Sequence, residues 1–164
     1  MPRVPRADRT SRMTNEPHES TEPLGEPPSM RVEYAFLCDA ATEHGGKVNA
    51  LGIGIDRLGV STLPATHPRL TLVARLVFED AGGASLPFVV RMVDADGRDV
   101  LPPVEGRFQV VATSGQRLES ASLLVDLQNL QFTTTGPHEV QVSSEGVTLA
   151  TLPIEVWRVA SQPA

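Results

Sequence analysis

The chain has 164 residues, a formal net charge of −6, and an apolar fraction of 40% with only 4% aromatics. That length suits one domain with a core of Leu, Val, Ile and Ala, and the acidic balance argues against a general binder of nucleic acid or anionic membrane, which needs clustered positive charge. Cys38 is the only cysteine, so neither an intramolecular disulfide nor a thiolate zinc site can form; a reducing compartment follows.

No stretch approaches the roughly 20 apolar residues of a membrane span, and no apolar segment follows the early arginines as in a secretory signal; the expected location is the cytoplasm. Residues 1–29 read as a disordered tail. Pro2, Pro5, Pro17, Pro23, Pro27 and Pro28 interrupt it, and its few large apolar groups cannot offset the entropy of ordering. Arg3, Arg6, Arg9 and Arg12 precede Glu16, Glu19, Glu22 and Glu26. Such a tail is a solvated leader, an arm that recruits an acidic partner, or sequence upstream of the true start at Met30.

The domain is expected over 30–159, with a frayed end over 160–164. In Arg31–Cys38, Val32, Tyr34, Phe36 and Cys38 alternate with Ala35 and Leu37, which predicts a strand apolar on both faces. Asp39–Glu43 is the nearest thing to a helix but is too short to nucleate alone. His44-Gly45-Gly46 is a turn signal, and Lys47–Val60 reads as the return strand, with Leu51, Ile53 and Ile55 facing one way. Gly52 and Gly54 opposite them call for a bulge or a close approach. Pro64 and Pro68 bracket a connection. Leu70, Leu72, Ala74, Leu76 and Phe78, then Leu86, Phe88, Val90 and Met92, alternate on either side of Gly82-Gly83, which predicts a β-hairpin with a buried even face. Opposed Arg75 and Arg91 would repel there, so an offset or an acidic neighbour is expected. Gly106–Val111 is a short strand.

Ser122–Val142 is the organising stretch. Leu123, Val125 and Leu127 share a face; Leu130 and Phe132 fall out of that phase; after Gly136-Pro137, Val140 and Val142 resume alternation. Such a corner carries a chain between two sheets. It resembles the immunoglobulin-type pattern in which a Tyr follows a Gly by two residues and its hydroxyl ties back to upstream backbone. His138 stands at the Tyr position, where an imidazole N–H can make a shorter version of that bond. In Val147–Val156 the parity shifts, which predicts a bulge near Ala150-Thr151, and the outward Pro153 suggests an edge strand that could support a homodimer. The sum is about eight strands: an all-β, antiparallel, Greek-key or immunoglobulin-like β-sandwich.

The order of these elements resembles that of an uncharacterised bacterial family of small all-β proteins, the domain of unknown function DUF6941. The resemblance rests on Leu37-Cys38-Asp39 ending the first strand, Gly52-Ile53 to Asp56-Arg57, the connection from Pro64 to His67-Pro68, the long hairpin, a closing Gly-x-aromatic strand and the Leu152-Pro153-Ile154-Glu155-Val156 end. His138 departs from the family's aromatic, and the tail is additional. Membership implies a sandwich fold and no assigned activity.

Chemistry-bearing residues gather at strand ends: Cys38, Asp39, His44, Asp56, Arg57 and His67. A thiol, an imidazole and carboxylates could hold a transition metal or a small ligand, but their spacings match no compact ligand motif; turn chemistry and a small buried Cys are the expected reading. Asp94-x-Asp96-Gly97 with Glu105 at the twelfth position resembles a calcium loop, but Pro102-Pro103 stand where a helix should begin, so a turn is the expected reading. There is no G-x-S-x-G elbow and no phosphate-binding loop, and Asp126 and Glu155 fall on outer faces. No cofactor is expected. The favoured expectation is a non-enzymatic module that binds a protein partner through a sheet face or edge. The alternative is a ligand- or metal-binding site, and so a possible enzyme, near Cys38, Asp39 and His67.

Overall fold

A computed structural model describes residues 28–111 and 118–160; the predicted tail up to residue 27 and residues 161–164 lie outside them. The described residues contain no helix. Their ten strands are β1 (Ser29–Cys38), β2 (Ala40–His44), β3 (Lys47–Leu51), β4 (Arg57–Val60), β5 (Ala65–Glu79), β6 (Ser85–Asp94), β7 (Val104–Gln109), β8 (Leu118–Phe132), β9 (Gly136–Ser144) and β10 (Val147–Arg158). They form a three-stranded sheet β1-β5-β8, a five-stranded sheet β4-β10-β9-β6-β7 and the separate hairpin β2-β3. No helix among the described residues is long and apolar enough to cross a membrane.

The two larger sheets share one core. Leu70, Leu72, Ala74 and Leu76 of β5 and Leu123, Val125 and Leu127 of β8 meet Val90, Met92, Val140, Val142, Ile154 and Val156 of the five-stranded sheet in a single buried cluster. Each fully buried Leu or Val there contributes roughly 1.5–3 kcal/mol. Three of the rings pack together, with Phe108 between Phe78 and Phe88 at centroid distances of 5.5 and 5.0 Å. Phe88 also covers Gly106, its partner across the β6–β7 pair, where a Cβ would run into the ring.

The even faces of β5 and β6 are buried as expected, but the two strands are not a hairpin: β5 lies in the three-stranded sheet and β6 in the five-stranded one. Alternation identifies the buried face without saying whether two such faces lie side by side or opposite each other across a core. Arg75 and Arg91 are therefore apart, and each has an acidic neighbour: Arg75 pairs with Glu33 at 2.9 Å and Arg91 with Asp99 at 2.9 Å. The odd face of β5 is not wet along its middle either. Thr71 and Val73 are buried, and β2 contacts β5 and β8 from outside.

The strand count of eight becomes ten because the predicted return strand Lys47–Val60 is two strands, β3 and β4, and because Ala40–His44 is extended, not helix-like. Ala65–Pro68 belongs to β5 as well as to the connection. In β1 an extra residue at Glu33 shifts the register between Val32 and Tyr34. Val32 thus packs against the core with Ala35, while Tyr34 and Phe36 stack outside it, 6.1 Å apart. A second shift, between Thr148 and Ala150 of β10, is the expected bulge. Pro153 is exposed, but β10 is not an edge over its last turn of chain: β4 runs parallel to it from Glu155 to Arg158.

Candidate functional site

The corner is built as the sequence suggested. Asn129 takes a left-handed φ of 55°, so Leu127 and Leu130 are both buried although three residues apart. Gly136, with φ 104°, turns the chain from β8 into β9. His138 is buried, its Nδ1–H donates to the Gly136 carbonyl at 3.0 Å, and its ring meets Phe132 edge-on at 5.2 Å. Gly136, His138, Leu123, Leu130 and Phe132 thus all serve the core or its corner.

The binding candidates fall into three separate places. Cys38 closes β1 beneath the β2–β3 hairpin and is fully buried; its thiol donates weakly to the carbonyls of Ala40 at 3.5 Å and Thr71 at 3.6 Å. Burial pushes this thiol's pKa up, and the neighbouring Asp39 and Asp126 charges add to that. A thiol kept protonated is a poor nucleophile and a poor ligand. Asp39 stands at the hairpin's root. Its N–H donates to Leu51 O at 3.0 Å, and its carboxylate fills the space where a Cβ on Gly52 would sit. His67 is half-buried in β5 opposite Leu130, whereas Cys38 lies opposite Thr71. Four residues of strand, about 13 Å, separate those two positions. Asp56 and Arg57 pair with each other at 3.2 Å on the opposite sheet, where Asp56 O accepts from Glu155 N–H at 2.8 Å. Among the described residues no group of three or more His, Cys, Asp or Glu could hold a metal.

The Asp94 turn uses its carboxylates on its own backbone. Asp94 Oδ1 accepts from Asp96 N–H and Arg98 N–H, both at 2.9 Å, and Asp96 pairs with the Arg98 guanidinium. These bonds, that from Arg98 N–H first, hold the Asp94 carboxyl below its ordinary range.

Two surfaces escaped the sequence reading. One is the hairpin itself. Leu51 is 71% exposed and Ile53 61% exposed, and with Ala40, Ala41, Val48 and Ala50 they line an open groove of about 630 Å³. β2 and β3 pair only with each other, so each keeps an outer edge with unpaired strand positions. The other is a depression of about 280 Å³ lined by Asp56, Arg57, Glu155 and Trp157. The parity that buries Ile154 and Val156 turns Trp157 outward, so that signal was present in the sequence.

No curated protein matches the chain. A β-glucosidase from Listeria innocua in complex with glucose is similar at 12% identity and a TM-score of 0.45, over 80% of this chain and 16% of that one. An immunoglobulin-like protein from Pseudomonas aeruginosa is similar at 13% identity and a TM-score of 0.35, over 78% of this chain and 96% of that one. Residues 33–157 match the model of the family of unknown function DUF6941, and the chain belongs to that family.

Proposed function

We propose that this chain is a non-enzymatic interaction module of immunoglobulin-like, Greek-key sandwich design, which takes an extended segment of a protein partner onto its β2–β3 hairpin. The strand order supports the sandwich reading. The set β1-β5-β8 corresponds to immunoglobulin strands A, B and E, and β4-β10-β9-β6-β7 to A′, G, F, C and C′, with β4 parallel to β10 as A′ is to G. His138 at the start of strand F matches the corner position. On this lettering the hairpin is an insertion between A and A′, and function on common folds resides in such additions.

The observation that carries the partner reading is the exposure of Leu51, the last residue of β3, and of Ile53 just beyond it, over one groove beside a two-stranded element with open edges. A lone exposed Leu needs no explanation. Two adjacent large apolar residues over an apolar groove favour a contact surface, and open strand edges favour an extended peptide, which completes their backbone hydrogen bonds. The metal or nucleophile alternative gains no support from a sealed Cys38 distant from His67.

The test is affinity capture with the full chain and with a Leu51→Ser/Ile53→Ser variant in parallel, after equal melting temperatures are confirmed. A stoichiometric protein held by the native chain and lost by the variant supports the reading. Equal retention by both removes the hairpin from it.

A further inference from the structure

The depression on the outer face of the five-stranded sheet is a second site, independent of the hairpin. β4 and β10 run parallel there, with Arg57 beside Glu155 and Gly59 beside Trp157. Trp157, the chain's only tryptophan, is 47% exposed. Gly59 leaves room for the indole to lean across β4: a Cβ there would lie 3.6 Å from Trp157 Nε1 and 2.6 Å from Val159 Cγ2. Exposing this much of the most hydrophobic ring in the chain is costly, whereas Val156 beside it is buried.

The polar rim selects among ligands. It offers acceptors from Asp56 and Glu155 and donors from Arg57. The Arg57–Asp56 pair is solvent-exposed, with its atoms 3.2 Å apart, so both members keep hydrogen-bonding capacity. Among the described residues the Glu155 carboxylate has no ion-pair partner. An anion would meet two carboxylates. An organic cation would meet Arg57, and cation recognition uses cages of several rings where this site has one. A neutral polyhydroxylated ring uses every group. Its C–H face stacks on the electron-rich indole face, and adjacent hydroxyls exchange donor and acceptor bonds with guanidinium and carboxylate. A volume of about 280 Å³ lies just under the roughly 300–1,000 Å³ of drug-sized ligand pockets, which limits the site to about one ring.

The geometry points to a carbohydrate-binding site in which Trp157 is the stacking platform and Asp56, Arg57 and Glu155 bond the hydroxyls of one neutral sugar ring. A shallow site with a single platform binds with a Kd of about 1 mM, the scale expected for a dozen heavy atoms at drug-like efficiency.

Because the chain has one tryptophan, its fluorescence reports on this site alone. The full chain is titrated with methyl glucosides and galactosides, cellotriose and N,N′-diacetylchitobiose, with choline and inorganic sulfate as comparators. The expected result is a saturable emission change with at least one neutral saccharide at a Kd of about 1 mM. Backbone amide NMR shifts under the same titration should centre on β4 and β10. Trp157→Ala should abolish the NMR response, and Glu155→Gln, which keeps the fold's packing, should weaken binding about 3- to 10-fold. Saturation by choline alone, by sulfate alone, or by no saccharide up to about 100 mM overturns the proposal, as does a saccharide response that survives Trp157→Ala.

Discussion

His138→Ala is the sharpest perturbation of the corner. The substitution removes three things: the Nδ1–H bond to Gly136 O at 3.0 Å, the edge-on contact with Phe132 at 5.2 Å, and the buried volume of the ring itself. The hydrogen bond is worth about 1 kcal/mol, the ring pair about 0.5–1.5 kcal/mol, and the cavity about 1–2 kcal/mol after partial collapse. The sum is about 2.5–4.5 kcal/mol, or a fall in Tm of about 8–18 °C for a domain of this size. His138→Phe keeps the ring contact and removes only the donor, so its cost should be about 1–2 kcal/mol. A double-mutant cycle of His138→Ala with Phe132→Leu should give a coupling of about 0.5–1.5 kcal/mol. The assay is urea unfolding at pH 7, followed by intrinsic fluorescence and far-UV circular dichroism to test two-state behaviour. If His138→Phe unfolds with the native midpoint and the coupling is zero, the imidazole does not hold this corner and the reasoning fails. His138→Tyr should keep or raise Tm if the ring stands in for a corner Tyr, whose hydroxyl ties back to upstream backbone; a large loss would assign the imidazole another role.

Gly52→Ala should cost about 1–2 kcal/mol, because a left-handed φ of 65° penalises any Cβ and Asp39 must swing away; a neutral effect in urea melts would show that the hairpin root is plastic. The Cys38 thiol should react with a disulfide reagent at least about 100-fold slower in the native than in the unfolded chain; equal rates would show that the hairpin does not cover it. Its raised folded pKa means that the native state favours the neutral thiol. That stability is complete below the unfolded Cys pKa and is lost as pH rises through the folded value, so urea midpoints should fall above pH ~8.5 and fall less in Cys38→Ala. Asp94 has the opposite sign. Its depressed carboxyl stabilises the fold above the unfolded Asp value and less as pH falls toward the folded one. The stability gap between native chain and Asp94→Ala should therefore narrow below pH ~4, and a constant gap from pH 7 to pH 3 would refute the carboxylate's role.

Much of the fold was legible because its strands obey a period of two over a long run. The alternation of Leu70 to Phe78 and of Leu123 to Leu127 marked their core face, although β5 buries Thr71, Val73 and Val77 on its other face as well, and the phase breaks at Leu130 and near Ala150 marked two of the places where the backbone departs from a flat strand, the bulge of β1 being a third. Sheet membership was not legible. β5 and β6 bury the same parity whether they are neighbours or face each other, and only the pairing of the strands into sheets separates the cases. The hairpin was legible only in part. The turn at His44-Gly45-Gly46 and the return from Lys47 are where the sequence placed them, but Ala40–His44 has no clean alternation to mark it as a strand, since β2 contacts β5 and β8 but is exposed from Thr42 onward. The His138 bond was legible because it is local, two residues long. The site grouping was not, because Cys38, Asp56 and His67 are each near a strand end, and strand ends in two sheets diverge as readily as they converge.

The same divergence explains why this chain can carry two independent surfaces. The insertion between β1 and β4 leaves the three-stranded sheet at Cys38 and rejoins the five-stranded sheet at Arg57. Its return is fixed by Gly54 N–H and Ile55 N–H, which donate to Leu37 O at 3.0 and 3.3 Å, so the hairpin starts and ends on the same carbonyl. A two-stranded hairpin is marginal alone, and this clamp, with the burial of Cys38 beneath it, supplies the missing support. Two residues later the chain enters β4, and that single short strand both closes the β10 edge and sets Arg57 and Gly59 beside Glu155 and Trp157. Substitutions at Leu51 and Ile53 should therefore leave the Trp157 site intact, and substitutions at Trp157 should leave the groove intact, because the clamp at Leu37 isolates one from the other. Loss of saccharide binding in the Leu51→Ser/Ile53→Ser variant would show instead that the hairpin and β4 move as one unit.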